Sequence, residues 1–172
     1  MRQQGVQDIR RGVGYRCRKG ALGVAQVARK PGTNLRSAVV ARVRRALKDG
    51  GRFVAEFGGK GNVATIIAAV RAEAPGAANP WYYPSLGEYA SLLEAHGFRV
   101  TQAFHFDRPT ALEGERGMRD WLDMFGTALL AGVPAAERNA VCARIVERLR
   151  PTLFRDGTWF ADYVRLRILA CI

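Results

Sequence analysis

Ala46-Leu47-Lys48-Asp49-Gly50-Gly51-Arg52-Phe53-Val54-Ala55-Glu56-Phe57 closes a helix, turns on two glycines and opens a strand. Upstream of it, Val39, Val40, Val43 and Leu47 recur at helical spacing, with Arg36, Arg42, Arg44, Arg45 and Lys48 largely on the other faces. Cations gather toward the helix end, where the dipole favours them, and Gly50 is a natural stop. Arg52 to Phe57 reads as a short, largely apolar strand that runs into Gly58-Gly59. Downstream, Asn62 is expected to cap a second helix reaching about Ala74, with Val63, Ile66, Ile67 and Val70 on its buried face.

The alternation continues to the end of the chain. Pro75 to Pro84 is a loop with three adjacent aromatics, Trp81, Tyr82 and Tyr83. Ser85 and Glu88 make a capping box for a helix lined by Leu86, Tyr89, Leu92 and Leu93 and ended by Gly97. A strand is predicted from Phe98 to Phe106, with Phe98, Val100, Phe104 and Phe106 on one side and Gln102 interrupting them. Two helices follow, one striped by Met118, Trp121, Leu122, Phe125 and Leu129, the other by Val141, Ile145 and Leu149. Asp156-Gly157 turns the chain into a last strand, Thr158 to Ala170. There Phe160, Val164, Leu166 and Ile168 point one way, and Trp159, Ala161, Tyr163, Arg165 and Arg167 the other. The order is that of an α/β fold.

The charge divides differently. Residues 1–48 hold 13 Lys/Arg and one acid, Asp8, whereas residues 49–172 hold 14 of each sign. The formal +12 therefore belongs to an N-terminal stretch. Residues 1–35 scatter glycines among arginines with no apolar rhythm, a composition that predicts a disordered basic arm ahead of a folded body at 36–172. Gly12-Val13-Gly14 lacks the leading strand that a phosphate loop requires. Such an arm can bind nucleic-acid phosphates without specificity, but a solvated tail is the favoured reading. No apolar run approaches the roughly 18 residues of a membrane span. Cys17, Cys142 and Cys171 show no metal-type spacing, and free thiols fit a reducing, cytoplasmic setting.

Taken together, several motifs resemble one known family. The opening segment is similar to the helix–Gly-Gly–strand segment of class I S-adenosylmethionine-dependent methyltransferases. Phe57-Gly58-Gly59-Lys60-Gly61-Asn62-Val63, Asn79-Pro80-Trp81-Tyr82-Tyr83-Pro84-Ser85, His96-Gly97-Phe98, Arg108-Pro109-Thr110, Arg155-Asp156-Gly157 and Ala161-Asp162-Tyr163 extend the likeness. Together they resemble the trans-aconitate methyltransferase-like branch, over residues 38–170. The resemblance implies a Rossmann-like sheet of seven strands, of which this chain carries the C-terminal half. Residues 52–57, 98–106 and 158–170 would be strands five, six and seven, the seventh antiparallel and inserted between the other two. The helices at 115–150 would be an insertion that helps to cover the substrate.

By the same resemblance, S-adenosylmethionine is the methyl donor and a small carboxylic acid the acceptor. The family's cofactor site uses a glycine-rich loop and an acid on the first half of the sheet, and nothing before residue 38 supplies them. The expectation is a truncated or frame-shifted form, without a cofactor site and inactive alone. No residue reads as a catalytic nucleophile or metal ligand.

Candidate acceptor-binding residues are Phe57, Gly58 and Asn62, at the end of a parallel strand where α/β sheets present ligands. Trp81, Tyr82 and Tyr83 either line a pocket or pack their loop on the sheet. Trp121 and Phe125 lie on a helix stripe, where core packing competes with substrate contact. Arg119, Arg165 and Arg167 can fork onto carboxylates or join a salt-bridged face. The first strand's open edge invites a homodimer or a separately encoded N-terminal half as partner.

Overall fold

The computed structural model describes residues 35–172. The basic arm expected over residues 1–35 lies outside them, but for Leu35, which opens the first helix. Nine elements follow in order: α1 (Leu35–Ala46), β1 (Arg52–Gly58), α2 (Ala64–Glu73), α3 (Leu86–Glu94), β2 (Arg99–Leu112), α4 (Gly117–Phe125), α5 (Ala135–Leu153), β3 (Phe154–Arg155) and β4 (Thr158–Cys171). The sheet runs β1-β4-β2, with β3 folded back on the start of β4. β4 is antiparallel to both neighbours, so β1 and β2 run parallel with the last strand between them. The β3–β4 hairpin turns on Asp156 (φ 49°) and Gly157 (φ 73°), two successive positive φ angles that suit a tight two-residue turn.

β4 changes its buried side along its length, and this divides the core in two. Near its start Trp159 and Ala161 pack under α2, α4 and α5, with Ile66, Val70, Met118, Leu122, Ile145 and Leu149. Near its end Ile168 and Ala170 lie on the opposite face, packed with Val40 of α1, Leu93 of α3 and Phe98. A strand buried on alternate sides in this way shows no single alternation in sequence.

β2 departs from expectation in length and in facing. It extends to Leu112, and a bulge between Val100 and Gln102 leaves an extra residue unpaired. The extra residue reverses the alternation beyond it. Phe98 is buried, Val100 pairs beside Ala170, and Gln102, Phe104 and Phe106 fall on the other face of the sheet. The predicted single aromatic side is thus split by one residue.

The start of α2 departs as well. Val63 occupies the cap position at φ 49° with no side-chain cap, and Asn62 turns its oxygen to the β4 backbone instead. Asp162 of β4 supplies the cap: its carboxylate oxygen accepts from Thr65 N–H at 2.7 Å, and its carbonyl accepts from Val63 N–H at 3.0 Å. A carboxylate there satisfies an orphan donor and faces the positive end of the helix dipole. Asp162→Ala should therefore cost about 1 kcal/mol of stability. A thermal melt of the variant superposing on that of the parent would remove this role. The Ser85–Glu88 capping box of α3 is present in both directions, at 3.2 and 2.8 Å.

Candidate functional site

β1 ends where three segments meet. Beyond Gly58 the chain is pinned by Gly59 N–H to the Val164 carbonyl (3.0 Å) and by Lys60 N–H to the Pro84 carbonyl (2.8 Å). These bonds set the turn against both β4 and the aromatic loop. Asn62, 5% exposed, then bridges the two, accepting from Val164 N–H at 2.9 Å and hydrogen-bonding the Tyr83 hydroxyl. Gly58 lets the loop close. A Cβ there would stand 2.6 Å from the Tyr83 ring and 2.8 Å from the Asn62 amide nitrogen. The Tyr83 ring therefore lies directly on the strand backbone. Its burial pushes the phenol up to about 12, partly opposed by the Asn62 hydrogen bond, so it stays protonated at neutral pH.

From Tyr83 a chain of aromatics leads to the helical layer. Trp81 lies 6.1 Å from Tyr83 and meets Trp121 edge-on at 6.3 Å, and Trp121 contacts Phe125 at 5.5 Å. The Trp121 indole N–H donates to the Tyr163 hydroxyl at 2.7 Å. Because that oxygen accepts from the indole, the Tyr163 O–H remains a donor for a third group. Arg165 follows two residues along the same face, its guanidinium 5.7 Å from the Tyr163 ring. Its Nε faces the Glu56 carboxylate at 3.6 Å, and Asp162 Oδ1 is a buried acceptor without a hydrogen-bond donor. Beside this cluster an open cleft of about 530 Å³ is walled by Asn62, Trp81, Tyr82 and Tyr83, with Arg36 and Arg71 among its cationic lining.

The structure brings Gly58, Asn62, Trp81, Tyr83, Trp121 and Phe125 into one contiguous group. Phe57 stands apart from them, its side chain on the opposite face of the sheet and edge-on to Tyr89 at 4.6 Å. Tyr82 packs under the Arg36 guanidinium at 3.3 Å. Of the three arginines considered, Arg119 pairs with Asp123 at 2.9 Å, while Arg165 and Arg167 both reach Glu56. Asp162, which caps α2, and Tyr163, which holds the Trp121 indole, position the site, and neither carries a ligand-binding signal in sequence. Their facing follows from strand alternation, but their partners depend on the register of β4 against β1.

Glu56 is the hub of an ion cluster spanning the sheet. Its carboxylate pairs with Arg108 of β2, with Arg167 at 2.6 Å and with Arg165 at 3.6 Å. The Arg167 hydrogen bond and the surrounding guanidinium charges hold its carboxyl below the usual range despite partial desolvation. The folded state therefore favours the ionised form. Its contribution is complete above the unfolded carboxyl's pKa and is lost as pH falls through the lower folded value. Denaturant titrations from about pH 6 to about pH 3 should show the stability gap between the parent and Glu56→Gln closing as the medium acidifies. A gap constant with pH would contradict this account.

His105, solvent-exposed, donates from Nε2 to the Lys60 carbonyl at 3.0 Å, and His96 meets Ser37 Oγ at 2.7 Å. Among the described residues no group of three or more His, Cys, Asp or Glu side chains is arranged to hold a metal, and no helix is long and apolar enough to cross a membrane.

No protein-family model matches the chain. An uncharacterized methyltransferase of Schizosaccharomyces pombe is 34% identical over 145 residues, covering 78% of this chain and 55% of its own length. A methyltransferase structure from Bacillus halodurans covers 78% of this chain and 57% of its own, at 14% identity and a TM-score of 0.46. The YcgJ structure of Bacillus subtilis covers 78% and 56%, at 16% identity and a TM-score of 0.38. The chain thus spans about half the length of the relatives it matches. By homology it is related to methyltransferases.

Proposed function

We propose that residues 35–172 form the acceptor-side half of an S-adenosylmethionine-dependent methyltransferase of the trans-aconitate methyltransferase-like branch, acting on an oxygen of a small carboxylic acid. The observation that carries this reading is the 34% identity over 145 residues to the yeast methyltransferase. In this reading β1, β2 and β4 are the fifth, sixth and seventh strands of a larger sheet.

The residues present do not fit the methyl donor. The glycine turn between β1 and α2 has the strand–turn–helix order of a nucleotide loop, but its helix N-terminus already bonds the Asp162 carboxylate. That carboxylate takes up the donor and the positive dipole end that such a loop offers a ligand. The cofactor site accordingly falls outside the described residues, and the chain by itself is inactive.

What these residues can do is bind and orient the acceptor. The Tyr163 hydroxyl supplies a donor suited to a carboxylate, the neighbouring Arg165 guanidinium, shared with Glu56, adds positive charge, and Trp81 and Trp121 exclude water there. Holding one carboxylate in place and drying its surroundings contributes to rate without any nucleophile from the protein. Titration of the ¹⁵N-labelled full chain with trans-aconitate should shift the indole N–H signals of Trp81 and Trp121. Unmoved indoles at saturating acid would sink the acceptor assignment. Calorimetry with S-adenosylmethionine should show no binding, and micromolar affinity would overturn the placement of the cofactor site.

A second reading is an interaction subunit that completes its sheet with another chain. Its support is that β1 has a strand neighbour on one side only among the described residues. Size-exclusion chromatography giving a stable, monodisperse monomer would count against it.

A further inference from the structure

The open cleft of about 530 Å³ borders the acceptor cluster along Asn62, Trp81 and Tyr83, but Tyr163, Arg165, Trp121 and Phe125 take no part in its walls. Part of the lining is one stripe of α2, formed by Ala64, Ile67 and Arg71 at helical spacing. Another part is the 78–83 loop, and Arg36 joins from the first turn of α1. The volume lies within the usual range of small-molecule sites.

The side chains of this cleft have their acceptors occupied and several donors open. Asn62 Oδ1 accepts from Val164 N–H at 2.9 Å, and Asn79 Oδ1 from Trp81 N–H at 3.0 Å. The Tyr82 hydroxyl is bonded by Arg36. The walls contain no Asp, Glu or His. On the donor side, the Asn79 amide N–H groups have no partner among the described residues. Arg71 likewise makes no ion pair or hydrogen bond with a described residue. Glu73, two positions along, is held by Arg144 and Arg148 at 2.9 and 2.6 Å. The Arg36 guanidinium lies 3.3 Å from the centre of the Tyr82 ring. Stacking of that kind leaves in-plane N–H donors open at its edge. Glu88, the acid nearest in effect to Arg36, already accepts from Ser85 N–H at 2.8 Å.

Open donors without an open side-chain acceptor admit an anion and reject a cation or a metal ion. Ala64, Ile67, Ala78 and Trp81 add apolar wall, which a bare inorganic ion would leave wet. We infer that this cleft binds a small organic anion, a carboxylate or phosphate group carried on an apolar body. The charged group would meet Arg36 and Arg71, and the body would rest on Ile67 and Trp81. The site is distinct from the acceptor's place at Tyr163 and requires no methyl transfer.

Calorimetry of the full chain tests this with naphthoate, naphthyl phosphate, inorganic phosphate and naphthylmethylammonium. At least one naphthyl anion should bind, more tightly than inorganic phosphate, and the cation should not. Which anion binds identifies the charged group. Arg71→Gln and Arg36→Gln should each weaken that anion about tenfold, as loss of a charge-assisted hydrogen bond does. Both side chains are exposed, so both variants should melt with the parent. Tyr163→Phe should leave this binding unchanged while weakening trans-aconitate, so the two sites can fail separately. The inference fails if neither naphthyl anion binds, or if the cation binds as well. It fails if Arg71→Gln binds as the parent does, which would assign the anion to basic residues elsewhere. Inorganic phosphate binding as tightly as its naphthyl ester would overturn the apolar half of the site. Loss of binding in Tyr163→Phe alone would move the anion to the acceptor cluster and overturn the separate site.

Discussion

Trp159→Ala should lower the unfolding free energy by about 3–5 kcal/mol, the largest loss expected from any single truncation in this fold. Trp159 is fully buried, at 0% exposure, near the start of β4. Its ring packs 4.9 Å from Phe154 across the β3–β4 hairpin and lies 5.2 Å from the Arg150 guanidinium of α5. Its indole N–H donates to the Glu115 carbonyl at 2.8 Å, tying the turn before α4 to the strand. One side chain thus joins the hairpin, α5 and the α4 entry. Removing it opens a cavity among residues whose backbones are already fixed in a sheet and two helices, so little collapse can fill the space. Urea unfolding should show the midpoint moving down with little change in slope. Trp159→Phe separates the parts: it keeps most of the ring volume, loses the hydrogen bond, and should cost about 1–2 kcal/mol. Equal losses in the two variants would mean that the indole bond, and not the packing, carries the effect.

Asn62→Ala should cost about 2–3 kcal/mol and disturb the candidate site more than the core. The Asn62 oxygen is the acceptor for Val164 N–H, and its amide is a partner of the Tyr83 hydroxyl. Truncation strands both groups in a place where water has little access, since Asn62 is 5% exposed. A buried donor left unpaired costs more than the bond itself returned. The released Tyr83 ring would then lose its fixed seat on Gly58, and Trp81 with it. Unfolding measurements combined with Tyr83 and Trp81 near-ultraviolet signals check this. Loss of stability with unchanged aromatic signals would show that Asn62 supports the turn but not the cleft. Asn62→Asp keeps the acceptor oxygen for Val164 and should recover part of the loss at a pH where the carboxyl is protonated.

These two residues also show how far the sequence could be read. Trp159 was legible as a residue of the last strand, and its side of that strand followed from alternation. Asn62 was legible as a polar residue before a helix, and the expected cap is the commonest use of that position. The structure gives the cap to Asp162, 97 residues from the Thr65 N–H it serves, and sends the Asn62 oxygen across to β4. Local spacing carries no signal of that exchange, because both partners are brought together by sheet register alone. The bulge in β2 is a similar case. Nothing in Val100-Thr101-Gln102 announces an unpaired residue, yet it moves Phe104 and Phe106 from the covered face to the bare one.

By itself the sequence determined the five helices of the described residues and the three long strands, but not the short β3 or the far end of β2. Apolar spacing and local caps such as Ser85–Glu88 act within a few residues and need no tertiary partner. It also determined that the net positive charge lies in the first 48 residues. The tertiary structure alone decided which faces are buried, because β4 exchanges its buried side midway and pairs with two strands at once. It decided the site for the same reason. Gly58, Asn62, Tyr83, Trp121, Tyr163 and Arg165 come from two strands, a turn, a loop and a helix, and the register of β4 against β1 is what sets them side by side.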